Sequence, residues 1–192
     1  MGGLLQTAPT AVAEQEEVWE GGVPAEAVAL SEAFEGCVLT PYNDGFGFPT
    51  IGIGSRSYLD GTPVWLGGPA IDRPTAERLA QRDLDKAALL VARAVTAPLT
   101  PRQAAALILL ANNVGALTVA APSLLKLVNG HDWRSAAELF RIYRNSAGKA
   151  VTGLRRRRWT EAAFSLGMDP NLARQRAWSA IQSPEDWPSL PA

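Results

Sequence analysis

The sequence predicts an α+β protein with a small lobe, made of one helix and a β-hairpin, and a larger all-helical lobe. Two observations indicate this class. Signals for strands are confined to residues 39–59, and every signal after Gly68 is helical. The chain has 192 residues, about the length of one domain, so we expect its core to be stable without a disulfide or a structural metal. We expect a long helix to join the lobes and a ligand cleft to lie between them.

The first predicted elements are a helix and a small sheet. Pro24 in the first turn and Gly36 after the last turn predict a helix that ends at Glu35. Residues 39–59 are rich in glycine, aromatic and β-branched residues, and Asn43-Asp44-Gly45 is a turn signal. This pattern predicts either a β-hairpin or a three-stranded sheet.

The remaining predicted elements are helices. Asp72 is a predicted N-cap for the long connecting helix, over 74–95. Thr100 and Gln103 form a capping box for a helix that is apolar on all sides, so we expect this helix to be central. Further helices are predicted at 123–129, 132–143 and 154–166, followed by a short helix and an extended tail.

Charge and composition divide the chain into three parts. Residues 1–22 are acidic and predict an arm outside the core, residues 23–167 form the predicted domain, and residues 168–192 are a Pro- and Trp-containing extension. Residues 126–176 contain 11 basic and four acidic residues, which predicts a positive surface and a polyanionic partner. Cell-wall polymers and nucleic acids both fit that description.

Composition also argues against several classes of function. A single cysteine, Cys37, excludes an intrachain disulfide, and a single histidine, His131, leaves few ligands for zinc, so we expect no metal and no cofactor. The N-terminus lacks the features of a signal peptide. The longest apolar stretch, 104–111, is far shorter than the ~20 residues of a membrane-spanning helix, so we expect no membrane insertion.

Three residues have a spacing that suggests a site. Glu35, Asp44 and Thr50 follow the pattern E-x8-D-x5-T across the predicted helix-to-sheet junction. Singly, each is typical of an ordinary helix end, turn or strand. Together they resemble the catalytic signature of the phage-type lysozymes.

Further motifs extend the resemblance over about 28–166. They are Thr50-Ile51-Gly52-Ile53-Gly54, Asn113-Val114-Gly115, Ser123-Leu124-Leu125, Gly148-Lys149 and the set Gly153, Leu154, Arg157, Arg158 and Glu161. The chain departs from the family pattern at Ser55, where most relatives have histidine, and at Asn112, where they usually have phenylalanine.

The resemblance implies a lysozyme-like fold and a muramidase that hydrolyses the β-1,4 bond between N-acetylmuramic acid and N-acetylglucosamine of peptidoglycan, with inversion. Such hydrolysis needs one protonated and one ionised carboxyl group. We assign Glu35 as general acid, Asp44 as base or electrostatic partner, and Thr50 as a ligand of the attacking water. The helix C-terminus disfavours the charged form of Glu35, whereas a solvated turn keeps Asp44 ionised. Asn113 is either a sugar-binding amide or a hydrogen-bonding residue at a helix end.

Several alternatives stay open. The protein is either a free endolysin, made in the host cytoplasm and released by a holin-type route, or a structural component of a virion. In the second case residues 1–22 and 168–192 would bind phage tail or baseplate proteins. A lytic transglycosylase is a third possibility. We do not expect nucleic-acid binding, because four consecutive arginines at 155–158 fan around a helix, and Arg157 is spaced to pair with Glu161. Trp133, Trp159 and Trp178 are predicted to pack in the core.

Overall fold

The structure is a computed structural model, and it describes residues 17–44 and 47–192. Within these residues the chain forms eight α-helices and two small antiparallel sheets. The helices are α1 (Ala25–Glu35), α2 (Arg73–Ala94), α3 (Pro101–Val114), α4 (Leu117–Ala120), α5 (Pro122–Asn129), α6 (Trp133–Leu139), α7 (Thr152–Ser165) and α8 (Pro170–Ala180), and the strands are β1 (Val38–Asn43), β2 (Pro49–Gly52), β3 (Asn145–Ser146) and β4 (Lys149–Ala150). The predicted α+β class is confirmed.

The small lobe is built on one hairpin. Strands β1 and β2 pair antiparallel, with Tyr42 opposite Thr50. Of the two predicted alternatives, the described residues therefore form the hairpin. The predicted turn lies partly outside the described residues, because Gly45 and Phe46 belong to the gap.

Helix α2 joins the lobes because its buried face takes part in two separate cores. Leu79 packs in a small core with Ile51 and Val64, whereas Leu84 and Val91, further along the helix, belong to the large core of the helical lobe. The predicted N-cap is confirmed, since Oδ1 of Asp72 accepts a hydrogen bond from the backbone N–H of Thr75. The lobes are thus linked by one continuous helix.

Helix α3 is the centre of the helical lobe, as its composition predicts. Residues 104–111 are all almost fully buried. The capping box is present, with Gln103 N donating to Thr100 Oγ1 over 3.3 Å and Thr100 N donating to Gln103 Oε1 over 3.0 Å. Helix α1 was predicted to belong to the small lobe, but it packs into this same large core through Ala27 and Leu30. Its C-terminal residue lies where the two lobes meet.

Two local features were not predicted. Helix α4 is a single turn, and strands β3 and β4 form a second hairpin with a two-residue loop, Ala147-Gly148. Both loop residues have positive φ, 47° and 76°, which is the backbone geometry that matches the twist of a tight hairpin. Alanine rarely adopts this conformation, so the sequence does not predict the turn.

The C-terminal extension is a short helix followed by an irregular segment, as expected. Ala173, Ile181 and Leu190 are buried in the large core. The indole N–H of Trp159 donates to the carbonyl of Pro188 over 2.8 Å. The proposed boundary between domain and extension stays a prediction. None of the described helices has the length and apolar character needed to cross a bilayer.

Candidate active site

The four residues selected from the sequence line one cleft. It has a volume of about 970 Å³ and its walls come from both lobes. Glu35, Asp44, Thr50 and Asn113 are all on its surface. The structure therefore brings the candidate set together, although the residues come from a helix end, a turn, a strand and a second helix end.

Glu35 is the last residue of α1, and its carboxylate has specific neighbours. The side chain is 32% exposed, and the guanidinium Nη1 of Arg157 donates to Oε1 of Glu35. On another side, a Cβ at Gly54 would lie only 3.3 Å from the carboxyl carbon of Glu35. Glycine, at a φ of 81° here, leaves the space that the carboxyl group occupies.

Asp44 follows β1, and its side chain is more enclosed than a solvated turn would make it. It is 17% exposed, so that expectation was wrong. One carboxylate oxygen accepts the backbone N–H of Phe48 over 3.1 Å, and the other lies 3.4 Å from Nη2 of Arg56. The Arg56 guanidinium carbon in turn lies 4.1 Å from the ring centre of Phe48. These donors stabilise a negative charge on Asp44 by direct contact.

Tyr42 lies within electrostatic reach of both carboxylates. Burial raises the pKa of its phenol above the ordinary value, and the negative charges of Glu35 and Asp44 raise it further. Tyr42 lines the same cleft. Tyr42, Glu35 and Asp44 therefore lie near one another on the surface of one cleft.

Thr50 is buried on β2, and its hydroxyl has a defined orientation. Oγ1 donates to the carbonyl of Phe48 over 3.0 Å. Because the hydroxyl proton is directed to that carbonyl, the oxygen lone pairs can accept a hydrogen bond from the cleft.

Asn113 lies in the last turn of α3, exposed in the cleft. Its Oδ1 accepts a hydrogen bond from Nη1 of Arg158 over 3.3 Å. Among the described residues its amide NH2 has no acceptor. The side chain therefore both hydrogen-bonds at a helix end and presents two N–H donors.

Behind the cleft, two arginines share one buried glutamate. Glu161 accepts from Nε of Arg157 over 3.2 Å, which confirms the predicted pair, and from Nη2 of Arg158 over 2.7 Å. Burial lowers the pKa of Arg158 to about 10 and raises that of Glu161, so Arg158 is still charged at neutral pH. Arg155 and Arg156 donate to the carbonyls of Pro184 and Ile181, so the run makes intramolecular contacts, as predicted.

Comparison with known proteins places the chain in a family. The model of the family described as phage lysozyme matches residues 32–161. This chain belongs to the phage lysozyme family. Membership indicates a peptidoglycan hydrolase of the glycosidase class.

Individual phage lysozyme relatives cover most of the chain. The endolysin of Salmonella phage P22 is 31% identical over 130 residues, which is 68% of this chain and 88% of the relative. The solved endolysin from Escherichia coli O157:H7 phage FAHEc1 superimposes with a TM-score of 0.70 at 28% identity, over 79% of this chain and 97% of that one. A solved mutant of P22 lysozyme superimposes with a TM-score of 0.65 at 26% identity, over 76% of this chain and 99% of that one.

Four residues of this phage lysozyme's cleft were missed as site residues. Their places in the cleft depend on tertiary packing, which no local sequence pattern reports. They are Tyr42, Arg56, Trp178 and Arg157, the last through its contact with Glu35. The predicted core position of Trp178 is wrong, because the side chain is 36% exposed and lines the cleft. Trp159 is buried as predicted, and Trp133 is partly buried against the core. No cluster of three potential metal ligands occurs among the described residues.

Proposed function

We propose that this protein is a muramidase that cleaves the β-1,4 bond between N-acetylmuramic acid and N-acetylglucosamine. The observation that carries the proposal is that Glu35 and Asp44 line one cleft. Two carboxyl groups that flank one saccharide-sized groove are the arrangement that glycoside hydrolysis needs. Family membership supports the substrate class.

In the proposed reaction, Glu35 gives its proton to the glycosidic oxygen as the bond from that oxygen to the sugar C1 breaks. A water molecule forms the new bond to C1, and Asp44 takes a proton from it. Arg157 stabilises the carboxylate that forms on Glu35, because its guanidinium already contacts that group. Exchange with solvent then restores both protonation states.

Two further residues hold the reactants in this proposal. Thr50 accepts a hydrogen bond from the attacking water, since its own proton is directed to the Phe48 carbonyl. Asn113 donates from its amide NH2 to a sugar oxygen. Attack by water on the face opposite the leaving group gives inversion at C1.

The products of digestion test this proposal. Purified peptidoglycan is incubated with the protein, and the released fragments are analysed by mass spectrometry. The muramidase proposal predicts muramic acid at the reducing ends. Fragments that end in anhydromuramic acid would identify a lytic transglycosylase, and reducing N-acetylglucosamine would identify cleavage of the other glycosidic bond.

We also propose that the protein acts on the wall after holin-type release, as a free endolysin. The packed C-terminal extension supports this over docking to a tail or baseplate through 168–192, because those residues contribute to the large core. The virion alternative then depends on 1–22. The end of this segment is not outside the core as predicted, because Trp19 packs against the large core and its backbone N–H donates to the carbonyl of Leu99 over 2.7 Å. Deletion of 1–16, which keeps this contact, should leave the rate of wall lysis unchanged, and loss of the protein from purified particles would support the virion role.

A further inference from the structure

Helix α8 forms part of the cleft wall, although it lies outside the residues that match the phage lysozyme family. That match ends at residue 161, whereas α8 spans Pro170–Ala180. Its Trp178 lines the same cleft as Glu35. The indole stacks on Phe34, the neighbour of Glu35, with ring centroids 6.3 Å apart and planes inclined by 8°. The extension therefore reaches the immediate surroundings of the proposed acid.

Trp178 is bordered by two cations. The guanidinium carbons of Arg156 and Arg174 each lie 5.7 Å from the centre of the indole. Within the described part of the chain neither arginine forms an ion pair with a carboxylate, and α8 itself contains no acidic residue. An exposed aromatic ring with unneutralised guanidinium groups around it is suited to an anionic ligand with apolar parts.

A second depression runs along α8 and meets the cleft at Trp178. It has a volume of about 660 Å³ and includes Asn171, Arg174, Gln175 and Ser179. Residues four apart lie on one face of a helix, so these amide, guanidinium and hydroxyl groups are arranged in a row. Such groups can donate to and accept from a peptide backbone. Asp169, at one end, accepts the N–H of Leu172 over 2.9 Å as the cap of α8.

We propose that Trp178, Arg174 and the depression along α8 bind the peptide stem of a peptidoglycan strand whose sugars occupy the cleft. The inference rests on the proposed function. Peptidoglycan is branched, with a carboxylate-bearing peptide leaving the glycan at muramic acid, and the depression shares Trp178 with the cleft that would hold the glycan. Arg174 pairs with a stem carboxylate, and Trp178 packs against the stem where it leaves the glycan.

The test measures binding of two ligands to the Glu35→Gln variant, which leaves the ligands intact. One ligand is a muropeptide oligosaccharide with intact stems, and the other is an oligomer of N-acetylglucosamine, which has none. Arg174→Gln and Trp178→Ala are introduced into this background, and Kd is measured by calorimetry. Arg176→Gln is the matched control, because it removes the same charge from the same helix and Arg176 lines neither the cleft nor the depression.

We expect Arg174→Gln to weaken binding of the stem-bearing ligand about fivefold, a typical value for loss of one partly exposed ion pair. Binding of the stem-free ligand should not change, and Arg176→Gln should change neither. Equal effects of Arg174→Gln and Arg176→Gln would overturn the proposal. An equal loss for both ligands in Arg174→Gln would also overturn it, because the group would then contact the glycan.

This experiment separates the stem site from the proposed function. Binding to the Glu35→Gln variant does not depend on cleavage. If the unmodified protein releases no muropeptides but Arg174 still discriminates between the ligands, the muramidase proposal fails and the stem site stands. If muropeptides are released and Arg174 has no effect on either ligand, the stem site fails alone.

Discussion

Arg157 on α7 donates a hydrogen bond to Glu35 at the end of α1, across 122 positions of the chain. The arginine side chain is almost fully buried, and its Nε is held by the buried Glu161. A cation fixed at this position stabilises the negative charge that forms on Glu35 in the proposed reaction, when its proton leaves. The position of Arg157 thus links the helical core to the proposed chemistry.

Replacement of Arg157 by glutamine tests this positioning role. We expect kcat to fall by roughly ten- to a hundredfold, because the carboxylate that forms on Glu35 loses its fixed donor. Rates of muropeptide release at saturating peptidoglycan, measured beside the melting temperature, check this. A lower melting temperature with an unchanged kcat would show that Arg157 acts on the fold alone.

Asp44→Asn should reduce turnover by about a hundredfold or more, because an amide cannot take a proton from water. The fold should be retained, since the Asn carbonyl can still accept the N–H of Phe48. Glu20→Gln removes an exposed carboxylate outside the cleft and is a matched control, so it should leave turnover unchanged. A loss of only a few-fold in Asp44→Asn would assign Asp44 an electrostatic role and contradict its role as base.

Ser55, which departs from the expected family pattern, donates to Asp83 over 2.7 Å from a buried site. Ser55→Ala should lower the free energy of unfolding by about 1 kcal/mol, because the hydrogen bond is lost inside the protein. Activity should be retained, since Asp83 still pairs with Arg82. Thermal melts beside Ser135→Ala, an exposed serine, measure the difference. Equal melting temperatures for the two variants would show that the Ser55 contact contributes nothing.

Asp72, the N-cap of α2, should contribute to the loss of folding stability at low pH. The hydroxyl and backbone N–H of Thr75 hold the pKa of Asp72 below its ordinary value. A lowered folded-state pKa contributes stability above the ordinary pKa of aspartate, about 4, and this contribution is lost as the pH falls through the lowered value. Asn also caps helices, so Asp72→Asn keeps the cap without the titration. The gap in melting temperature between parent and Asp72→Asn should narrow from pH 7 to 3, and a constant gap would exclude this linkage.

Local signals predicted most of the fold. Helix caps are an example, because the donor and acceptor are three positions apart and can both be seen in one short stretch of sequence. This holds for the capping box of Thr100 and Gln103 and for the N-cap Asp72. The hairpin β3–β4 was missed because Ala147 adopts a backbone conformation that alanine rarely takes. Prediction therefore succeeded where the interacting groups are near neighbours.

The candidate site was predicted less completely. The spacing and the family resemblance selected Glu35, Asp44, Thr50 and Asn113, which share the cleft. The partners of these residues could not be found in the same way, because Arg157 and Trp178 reach the cleft only through packing of α7 and α8. The periodicity of α8 gives no sign that Trp178 faces a groove.

The most direct measurement is the rate of muropeptide release from purified peptidoglycan by the parent protein and by Glu35→Gln. The proposal predicts that release falls to the background rate while the protein stays folded. The amide has no acidic proton to give to the leaving oxygen, but its carbonyl can still accept from Arg157. Glu26→Gln, an exposed change in the first turn of the same helix, should release fragments at the parental rate. Substantial turnover by Glu35→Gln would contradict the assignment of Glu35 as the acid.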